Sequence, residues 1–156
     1  MSPRRPRDGE PTAPWCVGAA RFIVEPIVSG STLVVAARCR IGQGGSELQA
    51  LLDTGALWSM VGGELAEALE PEGEDESFRV TLSTRFGNIE GHLHRLGVTL
   101  VADEGDDLHV SSSLLLARTW PGPPVLGYRG FLERIRIGLD PGEDMGEQWL
   151  FFGSSS

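Results

Sequence analysis

The 156-residue chain contains no run of the roughly 18 apolar residues that a membrane-crossing helix requires, so no membrane role is expected. Cysteine is scarce. Cys16 and Cys39 are the only two, and neither belongs to a CxxC pair, which rules out a disulfide framework. Cys39 alternates with apolar neighbours and reads as a small buried thiol. A Cys16–Cys39 bridge is the less favoured alternative. Basic charge is also short. A formal net charge of −9 argues against nucleic acid as a partner, because binding it calls for a basic footprint. Arg4, Arg5 and Arg7 stand near the N-terminus, but no uninterrupted apolar segment follows them before Arg21. A secretory signal is therefore not expected, and the default location is cytoplasmic. Internal repeats, a βαβ frame and a G-x-S-x-G elbow are likewise missing.

Hydrophobic residues at 40% and charged residues at 22% suit one soluble globular domain with a real core. Residues 1–19, rich in proline, arginine and small polar types, read as a flexible tail, and residues 20–153 as the domain. The domain is mainly β. Leu33 to Ile41 is a predicted strand. Gly42-Gln43-Gly44-Gly45 is a turn, and Leu48 to Leu52 runs back to end at Asp53. Trp58 to Val61 continues as a strand. Gly62 to Leu69 carries Leu65, Ala66 and Leu69 at helical spacing. Pro71 to Glu76 is an acidic loop without the EF-hand pattern. Alternation predicts strands at Phe78–Leu82, from Ile89 to Leu100, and at Leu108–Leu116. The acidic Asp103–Asp107 segment between the last two reads as a solvated turn. A short helix over Phe131–Ile135 and strands at Arg136–Leu139 and Trp149–Phe152 complete the chain, with Ser154 to Ser156 expected to fray.

Chemistry concentrates at Leu51-Leu52-Asp53-Thr54-Gly55-Ala56. Strand interiors normally exclude Asp and Gly, so the strand must stop here in a tight turn that Gly55 permits. Such a turn holds a carboxylate on a rigid support in largely apolar surroundings, where its proton affinity can be tuned. Asp-Thr-Gly alone is often just a structural turn. The apolar strand before it, and the strand and helix after it, give it weight.

In this setting the sequence resembles the retropepsin family of aspartic proteases, in particular its bacterial members. Ala50 to Ala56 is similar to the family's catalytic loop. Val125-Leu126-Gly127 with Phe131-Leu132 is similar to the segment and closing helix that pack behind it. Thr84 to Gly91 stands where the substrate-covering flap would lie. The resemblance spans roughly residues 20–153 and implies a single pepsin-like lobe. That lobe would be a closed β-barrel with one or two short helices, active as a homodimer. It implies an aspartic endopeptidase needing no cofactor or metal and acting on a peptide or protein substrate. Asp53 would be the catalytic carboxylate. Thr54 would bond across the dimer axis, and Gly55 would offer its carbonyl to the substrate. Ala56, Leu57, Phe86, Gly87 and Asn88 would contact substrate, while Leu126 and Gly127 support the loop. Chain ends build much of the dimer sheet in this family, and Trp149 to Phe152 is the candidate here.

The chain also departs from the pattern. Leu57 stands where retroviral enzymes carry a second Asp, so apolar contacts would weigh more in substrate binding. The flap has few glycines and would be stiffer. A second reading keeps the fold but makes it a non-catalytic dimerisation or peptide-binding module. The intact Asp53-Thr54-Gly55 favours the enzyme, since burying facing aspartates is costly without a use. Glu90, His92 and His94 share one strand face, which reads as the solvent side of the returning flap arm rather than a metal site. His109 reads as an ordinary strand histidine, and Ser59 as a strand-edge hydroxyl.

Overall fold

The computed structural model describes residues 14–26, 33–72, 78–142 and 148–155. The expected tail at residues 1–13, most of the acidic loop before Phe78, and Ser156 lie outside these.

Alternating apolar residues form strands that pair by register. They are β1 (Gly18–Arg21), β2 (Ile23–Pro26), β3 (Leu33–Ile41), β4 (Leu48–Leu52) and β5 (Ser59–Val61). After helix α1 (Gly63–Leu69) come β6 (Phe78–Thr84), β7 (Gly87–Leu100), β8 (Glu104–Gly105), β9 (Leu108–Leu116) and β10 (Val125–Leu126). A 3-10 turn (Leu132–Arg134), β11 (Ile135–Asp140) and β12 (Trp149–Ser154) follow. The larger sheet runs β2-β3-β4-β10-β5-β9-β7-β6, and an extra β3–β7 pairing closes six of its strands into a barrel. Closure removes sheet edges that would otherwise stay unpaired. The mainly β, closed-barrel architecture matches the retropepsin-like expectation.

The barrel interior holds Ala37, Cys39, Ala50, Val61, Val98, Leu100, Leu114 and Leu126, each at most 2% exposed. Cys39 sits there as a free thiol, and burial pushes its pKa up to about 12. A helix as short as α1 has little stability of its own. It is held by Ala66, fully buried, with Leu65 and Leu69 against the same core, while Glu64 and Glu67 face solvent.

The second sheet runs β11-β12-β1-β8. It packs on the barrel through Leu150, Phe152 and Ala20, which belong to the barrel's hydrophobic cluster. This sheet revises three expectations. Residues 18 and 19, assigned to the tail, are the start of β1 and pair with Phe152 and Phe151. The acidic segment at 103–107 is not simply solvated. Asp103 accepts from Arg38 and from the N–H of Arg21, and Asp107 accepts from Arg40 at 2.7 Å, while Glu104–Gly105 pairs with β1. Ser154 does not fray, because it pairs with Ile135, and the N–H of Ser155 donates to Arg134 O at 3.1 Å.

Candidate active site

β4 and β5 leave a gap that β10 fills. β10 runs parallel to β4 (Val125 opposite Leu51, Leu126 opposite Leu52) and antiparallel to β5 (Val125 opposite Met60). The chain between β4 and β5 therefore loops out over a third strand that fixes both its ends. Asp53 is the first residue of that loop, and its N–H donates to Leu126 O at 3.0 Å.

The loop is a tight turn. The N–H of Ala56 donates to Asp53 O at 3.2 Å. The N–H of Gly55 donates to Asp53 Oδ1 at 2.8 Å, which fixes the carboxylate's orientation. Gly55 is not among the positive-φ glycines, so its role is not the conformational one expected from the sequence. A Cβ there would lie 3.2 Å from Asp53 Oδ1, so its absence leaves room for the carboxylate. Asp53, Thr54 and Gly55 are all exposed in the single chain.

Leu126 and Gly127 brace this loop from below. Leu126 is 1% exposed. A Cβ on Gly127 would collide with the backbone of Trp58 and Ala56, so only glycine permits this close approach. The N–H of Gly127 donates to Ser59 Oγ at 2.9 Å in a fully buried setting. Ser59 is therefore not an edge hydroxyl. It clamps β5 to the segment behind the Asp53 loop. The only sequence signal for this was a lone hydroxyl among apolar strand residues. Two further hydrogen bonds, Tyr128 N–H to Ala56 O and Arg129 N–H to Leu57 O, both 2.9 Å, extend the brace. They leave Leu57 and Tyr128 as large, half-exposed apolar side chains beside the loop. Tyr128 carried no motif, and its place next to Gly127 was its sole pointer.

Phe86, Gly87 and Asn88 lie apart, on the β6–β7 hairpin, and among the described residues no hydrogen bond joins them to the Asp53 loop. Arg85 and Phe86 form a two-residue turn flanked by the Thr84–Gly87 pair, and Asn88 pairs with Ser83. Gly87 has φ +98°, a conformation that favours glycine. The hydroxyl of Thr84 donates to Gly87 O and accepts from the N–H of Phe86, which stiffens the tip. Phe86 also meets Trp120 edge-on at 5.6 Å between ring centroids. On β7, Glu90 pairs with Arg79 across the hairpin at 3.0 Å. A surface depression lined by Gly42, Arg95, Thr99, His109 and Ser111 shares no residue with the Asp53 loop.

Residues 37–104 match the family model described as aspartyl protease, a span that contains Asp53 and the whole β6–β7 hairpin. No curated protein matches the chain.

Proposed function

We propose that the chain, whose residues 37–104 match the aspartyl protease family model, is a retropepsin-like aspartic endopeptidase whose active site is two Asp53 carboxylates, one from each subunit of a homodimer. The observation that carries this reading is the braced loop, which presents an exposed carboxylate with one oxygen oriented by the N–H of Gly55.

One chain offers a single Asp-Thr-Gly, so a two-fold axis must supply the second. Two carboxylates at short range cannot both ionise readily and share one proton; aspartic proteases are the standard example of this coupling. The ionised partner takes a proton from a water held between them. That water attacks the scissile carbonyl, and the protonated partner donates to the developing oxyanion. Thr54 would bond across the axis, and the Gly55 carbonyl would receive a substrate N–H. Leu57 and Tyr128, half-exposed beside the loop, favour apolar substrate side chains. Phe86, Gly87 and Asn88 would close over the peptide from the hairpin.

The test is cleavage of a mixed peptide library between pH 4 and 7 by wild type and by Asp53→Asn. Wild type should cleave and the variant should not, with the same melting temperature. Equal cleavage by both would remove Asp53 from the chemistry.

A further inference from the structure

Among the described residues β11 has one sheet neighbour, β12, in the order β11-β12-β1-β8, and its other edge is open. β12 lies between β11 and β1, so Trp149 to Phe152, expected to build a dimer sheet, has both edges used within its own chain. The hydrogen bonds around this sheet fix which way its backbone points. The N–H of Phe22 donates to Gln148 O, so residues 148, 150 and 152 address β1, and residues 149, 151 and 153 address β11. The bond from Ser155 N–H to Arg134 O has the same parity. Arg136, Gly138 and Asp140, which oppose Gly153, Phe151 and Trp149, therefore spend their backbone groups on β12. Those of Ile137 and Leu139 point outward, as pairing groups on an open edge.

The side chains reinforce this. Ile137 and Leu139 oppose Phe152 and Leu150, both fully buried, so they lie on the core face of the sheet. Yet they are 37% and 51% exposed. The apolar face thus continues past what the described residues cover. The other face of β11 carries exposed Arg136 and Asp140, and no ion pair to either is present among the described residues.

We propose that β11 is the seam of the homodimer, joining the same strand of a second copy antiparallel about a two-fold axis at Gly138. This rests on the homodimeric reading above and names its interface. In this register Ile137 opposes Leu139 of the partner subunit, and the outward backbone groups of both form the inter-subunit hydrogen bonds. Arg136 opposes Asp140 of the partner subunit, twice by symmetry. Neighbouring registers of the same parity are poorer. Centring on Ile137 separates Arg136 from Asp140 and needs the N–H of Ile135, which is already given to Leu132 O. Centring on Leu139 sets Ile137 against Pro141, which has no N–H. The seam is also rigidly linked to the catalytic loop. Leu132 N–H donates to Gly127 O at 3.1 Å, Glu133 N–H to Tyr128 O at 3.0 Å, and Tyr128 N–H to Ala56 O at 2.9 Å.

The test is a cross-link at the axis. Gly138→Cys is sterically tolerated, with nothing closer to its Cβ than a Trp15 ring atom at 3.8 Å. In a non-hydrogen-bonded pair the two Cα atoms approach to about 4.5 Å, within disulfide reach. In a Cys16→Ser background, mild oxidation of the full chain should give a covalent dimer linked through position 138, identified by peptide mapping. In parallel, Arg136→Asp should weaken the dimer about tenfold in sedimentation, since it opposes like charges. Adding Asp140→Arg should restore it. A dimer with neither the cross-link nor the charge effect would overturn the β11 seam and leave the homodimer standing. A chain that stays monomeric at every concentration would overturn both.

Discussion

Gly127→Ala tests whether the Asp53 loop depends on the close approach beneath it. The new Cβ would stand 2.5 Å from the Trp58 carbonyl carbon and 2.9 Å from Ala56 O, and closest of all to Trp58 O. Ordinary contact begins near 3.4 Å, so the backbone of residues 56–58 must retreat by about 1 Å. All three obstacles are backbone atoms, so no side chain can swing away. The same movement stretches the Ser59–Gly127 hydrogen bond. Overpacking of this kind costs about 2–3 kcal/mol. For a chain of this size that lowers the melting temperature by roughly 5–10 °C. Gly97→Ala is the matched control, because nothing lies within 4 Å of its Cβ and its φ is not positive. It should change stability by no more than about 0.5 kcal/mol. Urea titration of both variants, with cleavage assayed alongside, decides the matter. Gly127→Ala as stable and as active as Gly97→Ala would refute the brace.

Other outcomes follow from the same contacts. Ser59→Ala leaves the buried N–H of Gly127 without its acceptor and should cost about 1–3 kcal/mol in urea unfolding. Phe86→Ala removes the contact with Trp120. It should speed amide exchange at the hairpin tip while leaving β9 unchanged. Alkylation of the native protein at pH 8 should label Cys16, which is partly exposed, and reach Cys39 only on unfolding. The thiol of Cys39 is pushed from its ordinary value of 9.0 to about 12 in the fold. The unfolded chain therefore releases that proton first, and stability should fall as pH rises between these values. Cys39→Ala should remove that slope.

The strands that flank Asp53 were legible because their signals are local. Alternation marks Leu33–Ile41 and Leu48–Leu52, and clustered glycines mark the turn between them. The Asp53 turn was legible because Asp-Thr-Gly interrupts an apolar strand. What stayed hidden depends on distant pairing. The family resemblance placed Val125-Leu126-Gly127 behind the Asp53 loop, but nothing near Asp53 announces that Val125 and Leu126 insert as a strand between β4 and β5. The role of Gly55 looked conformational and is spatial, which only the position of the Asp53 carboxylate could show. The acidic residues at 103 and 107 resembled solvated loop until Arg38 and Arg40 of β3 came beside them. Trp149 to Phe152 looked like an available edge strand. β1 covers it, and β1 begins inside what composition assigned to the tail.

The central claim is that each active site takes one Asp53 from each of two chains. Mixing wild type with Asp53→Asn at fixed total concentration, after subunit exchange, tests it directly. If both carboxylates are needed, cleavage falls as the square of the wild-type fraction, to about one quarter in an equal mixture. A fall in simple proportion, to about one half, would mean that one chain carries a complete site and would contradict the account.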